Sequence, residues 1–426
     1  MERLMQYVWQ HRLLLCDDLV TVDGRPVKVI DPGQLNTGSG PDFFNAKLII
    51  GDTYWAGNVE MHVRASDWHR HGHDGDRAYD SVVLHVVDRD DTRISRPDGR
   101  EIPQLVMKCA PDFHSRYSQL VDRSDIDLPC AADLASASPL HISDWLTAMG
   151  YERLYDKADR VTALLERFTG DWEETTYVTL ARALGFGLNS EPMERLALSM
   201  PLRFLRKHSD SPIAIEALLF GQAGFLEAEH GPDGYYDSLA REYRFLAHKF
   251  SLKPMMSPGW KTGRTRPQNL PYGRIATLAN IIAGTRHLAS RLIEAREVTD
   301  NIELFRMAPP PYWTTHYTFG SGSQVPHEGL SLSSAMVLAI NVCVPVLAAY
   351  GMHIGDDRYT ERAVEWLHQL PSERNHIVSL FARAGVSSRD AFSSQALIQA
   401  RRRYCETHSC IFCRIGHRTL AARAKR

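Results

Sequence analysis

Apolar and polar positions alternate over roughly the first 110 residues, then recur three and four apart along the rest of the chain. In the alternating part, Leu19-Val20-Thr21-Val22 and Val27-Lys28-Val29-Ile30 flank Asp23-Gly24, a dipeptide that tolerates the positive φ of a tight hairpin turn. Ala46 to Ile50 and Tyr54 to Val63 read as strands joined at Gly51-Asp52. Val82 to Val87 is apolar except for His85, the pattern of a strand covered on both faces. Thr92 to Ser95 and Ile102 to Met107 flank Pro97-Asp98-Gly99 and predict a further hairpin, and Met1 to His11 suits a leading helix. Between the strands lies a polar, glycine-rich loop from Gly33 to Asp42.

The pattern changes after Cys130. Ala131 to Ser138 is small and linker-like. Leu154, Ala158, Val161, Leu164, Leu165 and Phe168 then fall on one face of a helix. Ser143 can cap the helix carrying Trp145, and Ser190 with Pro192 can open another. Further helices are expected at 212–229, 236–250, 272–297, 331–350, 358–369, 373–384 and 390–404. The fold class is therefore α+β. It comprises an α/β domain with a mixed sheet at 1–130, a helical domain at 139–400 and a small, basic, cysteine-bearing segment at 401–426.

Composition adds limits. The 426 residues are 44% hydrophobic and 23% charged, ordinary for a globular chain of two or three domains. No window approaching 18 uncharged apolar residues is read, so no membrane span is expected. The opening MERLMQYVWQ lacks the apolar stretch of a secretory signal. Seven cysteines, three of them packed between 405 and 413, do not suggest a disulfide framework, and a reducing cytoplasm is the expected compartment. The net charge of −2 is uneven: residues 1–130 hold 15 Lys/Arg against 21 Asp/Glu, and residues 391–426 hold 8 against one. An acidic region suits cations, and a basic tail suits polyanions or a solvated end.

The sharpest chemistry is in the acidic part. On a strand, Glu60 and His62 face the same side, and Asp42 stands at the edge of the preceding strand. Two carboxylates and an imidazole on a hairpin can share one divalent cation. Oxygen ligands suit Mg²⁺ or Mn²⁺, and the imidazole tilts the set toward Mn²⁺, Fe²⁺ or Zn²⁺. His62, His69, His71, His73 and His85 are five of the chain's 19 histidines. His85 inside its apolar run needs a partner, either as a hydrogen-bonded core residue or as a ligand or proton carrier, and His71 is a second candidate for that role. Trp68 reads as a lid over the end of this strand.

Two further constellations stand out. Cys405, Cys410 and Cys413, with His417 beyond them, have the spacing of a structural zinc site. An iron–sulfur cluster is the competing cofactor, with Cys16, Cys109 or Cys130 as a distant fourth ligand. Three reduced, unligated thiols are the bland alternative. Arg264, Arg266 and Arg274 lie in or beside a proline-stiffened loop and can clamp phosphate, or cap and bridge helices.

Pro41-Asp42 before a strand bearing Glu60-x-His62 resembles the PD-(D/E)XK nuclease superfamily and implies a restriction-endonuclease-like sheet. In that resemblance Asp42 and Glu60 bind the metal, and His62 stands where the superfamily has lysine. More of the chain resembles the bacterial domain of unknown function 2851. Gly33-x2-Asn36-x3-Gly40-Pro41-Asp42-Phe43, Trp55-x-Gly57-x-Val59-Glu60-x-His62 and Ser66-Asp67-Trp68-x2-His71-x-His73 carry that likeness. So do Leu84-His85-Val86-Val87, Phe220-Gly221-x-Ala223-Gly224, Arg266-Pro267-x-Asn269-x-Pro271 and Tyr404-Cys405-x4-Cys410-x2-Cys413. It implies that the two parts work as one unit and transfers no activity. The expectation is a metal-dependent phosphodiesterase or nuclease acting on DNA or RNA, with catalytic residues Asp42, Glu60, His62 and His85. The alternatives are a non-catalytic binding or scaffold protein, and a mononuclear metal enzyme acting on a small molecule.

Overall fold

The computed structural model describes residues 1–12, 18–36, 38–96, 98–107, 115, 117–120, 127–256, 259–263, 267–324, 326 and 328–421. The fold is α+β, a mixed sheet followed by a mostly helical remainder. The chain forms two compact units. One holds Met1–Trp145, Ala384–Val386 and Ala400–Arg426, and the other Leu146–Arg383 and Ser387–Gln399. The C-terminal segment therefore belongs with the sheet.

In the first unit, β1 (Leu19–Val20), β2 (Pro26–Asp31), β4 (Phe43–Ile50), β5 (Thr53–Arg64), β6 (Val82–Arg89) and β7 (Gln104–Val106) lie side by side in that order, and β3 (Gln34–Leu35) pairs with β4. Strands β2, β4 and β5 are antiparallel, and Gly51, with φ of 60°, closes the two-residue β4–β5 turn. A bulge between Phe43 and Ala46 carries Asn45 in the left-handed region, φ 57°. One face of the sheet is apolar. Phe43, Ala46, Leu48, Val59 and Met61 pack with Leu4, Met5, Val8 and Trp9 of α1 (Glu2–Gln10).

From β5 onward the sheet is parallel. A crossover must therefore return the chain, and it does so through α2 (Asp67–Arg70) and two 3₁₀ turns, His73–Gly75 and Arg77–Tyr79. Register places Glu60 beside His85 and His85 beside Gln104. The outer edges meet where Thr21 bridges Leu105 and the Val22 amide donates to the Gln104 carbonyl at 2.8 Å, so the sheet closes on itself.

Several local expectations change. The hairpin after β6 is shorter than expected, with the Ile102 amide donating to the Ile94 carbonyl, because residues 104–106 leave it to pair with β6. Ala131–Ser136 is a helix rather than a linker, and Ser143 lies inside the 29-residue helix Pro139–Arg167 instead of capping one. Alanine and leucine outweigh the serines there as helix formers.

The second unit is helical. The helix opening at Pro212 stops at Gln222, just before Gly224 in the left-handed region, and the segment expected at 272–297 breaks into Pro271–Gly284 and Leu288–Glu294. Leu332–Ile354 corrects the expectation that no apolar window of membrane-spanning length exists. Its 23 residues have mean hydropathy 2.1 in their most apolar window, 67% of which is buried within the fold.

An aromatic cluster of Phe220, Tyr235, Tyr272, Trp313 and Phe319 surrounds Glu216, which is 3% exposed and accepts from Trp313 Nε1 at 2.7 Å and the Tyr235 hydroxyl at 2.8 Å. Burial raises this carboxyl above the usual glutamate range. A raised carboxyl binds its proton more tightly in the folded state, so its contribution is fully present below the unfolded value of about 4.3 and is lost as pH rises through the folded value. Glu216→Gln keeps an acceptor for both donors. It should therefore have a higher urea midpoint than wild type at pH 8, with the difference closing toward pH 4.5; an equal difference at both pH values would contradict this reading.

Candidate metal centre

Backbone geometry locks the two acids together. The Asp42 amide, just ahead of β4, donates to Glu60 Oε2 at 3.0 Å on β5. The Asp42 carboxylate accepts from the Met61 amide at 3.0 Å and from Gln6 Nε2 of α1 at 2.8 Å. Glu60 and His62 project from one face of β5, as the strand period requires. They are 5% and 1% exposed, and His85 beside them is fully buried.

The β5–β6 crossover folds two more imidazoles onto this face. His71 Nδ1 lies 3.2 Å from His62 Nε2, and Glu60 Oε1 lies 3.6 Å from His62 Nε2 and 3.5 Å from His73 Nε2. Among the described residues, His62, His71 and His73 each offer one ligand nitrogen within 4.8 Å of the others. His73 Nε2 is buried without a hydrogen-bond partner and faces Glu60 Oε1. Tyr79 stacks on His73 at 3.8 Å, and Trp68 stands edge-on to His85 and His73 at 5.3 and 5.4 Å, walling the inner side. His71 is exposed, so the cluster is reached from solvent there.

Hydrogen bonding fixes the tautomers. Gln104 Nε2 donates to Asp90 Oδ1 at 2.7 Å and to the Thr92 carbonyl at 3.0 Å, which turns Oε1 toward His85. His85 Nδ1 then donates to Gln104 Oε1 at 3.4 Å, leaving Nε2 to accept from His62 Nδ1 at 2.9 Å. The lone pair of His62 Nε2 is thereby aimed at His71, His73 and Glu60. Such outer partners orient metal-binding histidines, and losing one costs about 10- to 100-fold in metal affinity. Gln104→Leu should weaken Mn²⁺ or Zn²⁺ binding by that factor in calorimetry while His62, His71, His73 and Glu60 are all retained; unchanged affinity would show that the relay orients nothing.

Burial dominates the electrostatics of the cluster. Burial, helped by Asp42, pushes Glu60 up to about 9, and burial pushes Asp42 up to about 6. Burial and the facing imidazoles hold His62 down to about 2, and burial holds His85 at about 4. A divalent ion would reverse the shift of the carboxyls, favouring carboxylate, while the imidazoles are already held in the neutral form that ligates.

The structure brings Glu60 beside His62, and sets the Asp42 carboxylate on the Met61 amide and Gln6 rather than among the clustered donors. It sets His85 behind His62, as an orienting partner rather than a member of the open cluster. His71 and His73 join the cluster, and their only sequence signal is the His-x-His in a polar turn. Arg264 and Arg266 lie outside the described residues. Arg274 is buried in the helical unit, with its guanidinium 4.3 Å over Phe186 and donating to Asn269 at 2.9 Å. Cys405, Cys410 and Cys413 fall in one compact C-terminal turn, with none of the described cysteines in a disulfide. His417 instead bonds the Tyr7 hydroxyl through Nδ1, its ring 4.5 Å from that of His11.

No curated protein and no solved structure matches the chain. One family model does, over residues 2–376, a span that contains every residue of the histidine–carboxylate cluster. The chain belongs to the family described as protein of unknown function DUF2851.

Proposed function

We propose that the first unit is a divalent-metal-dependent phosphodiesterase, a nuclease in its leading form. The observation that carries this is the cluster of His62, His71 and His73, reached from solvent at His71, with Glu60 beside His62 and His73 and the Asp42 amide bonded to Glu60. His62 Nε2, His71 Nδ1, His73 Nε2 and Glu60 Oε1 are the donors that would hold the ion. A mixed nitrogen and oxygen set favours Mn²⁺ or Zn²⁺ over Mg²⁺. The bound ion would supply Lewis-acid polarisation of a phosphoryl oxygen and acidify water. Asp42 holds Glu60 in place through its amide, and the relay through His85 to Gln104 keeps His62 in the ligand tautomer.

A restriction-endonuclease-like arrangement is supported by the antiparallel β2–β4–β5 set continuing into a parallel β6, with the acids ahead of β4 and within β5. The bridge between Thr21 and Leu105 departs from an open sheet. The three-imidazole set also favours a second reading, a mononuclear metal enzyme hydrolysing a small molecule.

The test is cleavage of labelled single- and double-stranded DNA and RNA by wild type and Glu60→Gln, with Mn²⁺, Zn²⁺, Mg²⁺ or chelator. Metal-dependent cleavage lost in the variant supports the nuclease. A folded, metal-loaded wild type that cleaves none of them, yet hydrolyses a small phosphodiester, moves the proposal to the second reading; inertness on both overturns it.

A further inference from the structure

A second cluster in the first unit is unrelated to the histidines. Cys405 closes the π-helical turn Ala400–Cys405, Cys410 opens the 3₁₀ turn Cys410–Phe412, and Cys413 precedes the helix Arg414–Ala421. His408, with φ of 51°, reverses the chain between the first two, and the Ser409 amide donates back to the Tyr404 carbonyl at 2.8 Å. The last helix is pressed against this turn at Gly416, where a Cβ would sit 2.0 Å from the Cys410 carbonyl oxygen, so a side chain at 416 is excluded. The three cysteines of this segment are thus held within one compact turn.

The fourth comes from far away in sequence. Cys130, Cys405 and Cys410 line one cavity of about 200 Å³, together with Leu120, Pro129 and Arg401. Burial raises the Cys130 and Cys405 thiols, and the neighbouring cysteines, Cys413 among them, add to both shifts. All four belong to the same compact unit. His417 bonds Tyr7 through Nδ1 and packs on His11, and Cys16 and Cys109 lie outside the described residues; among the described residues Cys130 is the remote cysteine that lines the cavity.

A zinc ion with sulfurs at 2.3 Å draws its four thiolates to about 3.8 Å from one another. Among the described residues, the cysteine sulfurs form no group of three within 4.8 Å of one another. A multi-atom core holds its thiolates further apart and fills the room between them. Cys-x4-Cys-x2-Cys with one remote cysteine is also a spacing that carries iron–sulfur clusters. Arg401 shares the cavity wall with Asp127 and Glu406 and is ion-paired with both at 3.4 Å, which fixes its side chain beside the thiols.

We infer that Cys130, Cys405, Cys410 and Cys413 hold an iron–sulfur cluster, which ties the C-terminal segment to the sheet-bearing unit. These three C-terminal cysteines lie beyond the residues matched by the family model. The experiment is anaerobic purification of the full chain from iron-supplemented cells, with iron, acid-labile sulfide, zinc and the visible spectrum measured on wild type, Cys130→Ser and His417→Gln. The expected result is iron and sulfide in equal amounts in wild type, a drop of at least about fivefold in Cys130→Ser, and full retention in His417→Gln. Zinc without sulfide in wild type, no metal at all, or loss in His417→Gln with retention in Cys130→Ser would each overturn the assignment. The wild-type composition decides the cofactor even where Cys130→Ser does not fold.

Discussion

Glu60→Gln should lower metal-dependent hydrolysis on the order of 10³-fold while leaving the protein at least as stable as wild type. The substitution is isosteric, and one amide oxygen can still accept from the Asp42 amide as Glu60 Oε2 does at 3.0 Å. The other end changes sign. Where Glu60 Oε1 faces His62 Nε2 at 3.6 Å and His73 Nε2 at 3.5 Å, the variant presents an amide donor to nitrogens that must keep their lone pairs for an ion. It also removes the anionic charge that attracts the ion. Stability moves the other way, because burial holds the Glu60 carboxyl at about 9, so at neutral pH folding takes up a proton that the unfolded chain does not bind, a cost the variant avoids. Activity assays beside thermal melts check both halves. Loss of activity together with a collapsed melting temperature would mean that Glu60 is a structural residue. His69→Ala is the control, since His69 is half exposed, ion-paired to Asp74 at 2.7 Å and outside the cluster, and should change neither readout.

The largest loss of stability is expected from Trp313→Ala in the helical unit. Trp313 is fully buried, stacks on Phe220 at 5.0 Å and meets Phe319 at 5.2 Å. Removing a buried aromatic ring costs about 3–5 kcal/mol through lost transfer energy and the cavity left behind. The variant also takes one of two donors from the buried Glu216 carboxyl, worth roughly 1–3 kcal/mol more. Trp313→Phe separates the two, restoring most of the packing but not the donor. Urea unfolding followed through the helical unit's transition should rank wild type above Trp313→Phe above Trp313→Ala. A Trp313→Ala loss below about 2 kcal/mol would show that the aromatic cluster relaxes around the gap.

Strands β4, β5 and β6 were legible because a two-residue period and an uninterrupted apolar run leave few alternatives, and that was enough to pair Glu60 with His62 and to single out His85. The parallel pairing of β5 with β6 was not legible, since it depends on where the crossover returns, and period says nothing of that. For the same reason His71 could be named only as a candidate ligand or proton carrier, and His73 only as one of five clustered histidines, until the crossover is seen folded over His62. Gln104 carries no local mark of its role, which exists only because β7 lies beside β6. Cys130 could be set down only as one of three candidates, because its nearness to Cys405 and Cys410 is a property of the tertiary fold. Ser143 misled in the opposite sense, an N-cap residue type placed inside a long helix.

The most direct measurement is anomalous diffraction from crystals of the full chain grown with Mn²⁺ or Zn²⁺. The expected result is one strong peak within bonding distance of His62 Nε2, His71 Nδ1, His73 Nε2 and Glu60 Oε1. A loaded, ordered protein with no peak among these four atoms would contradict the metal centre and every function proposed from it.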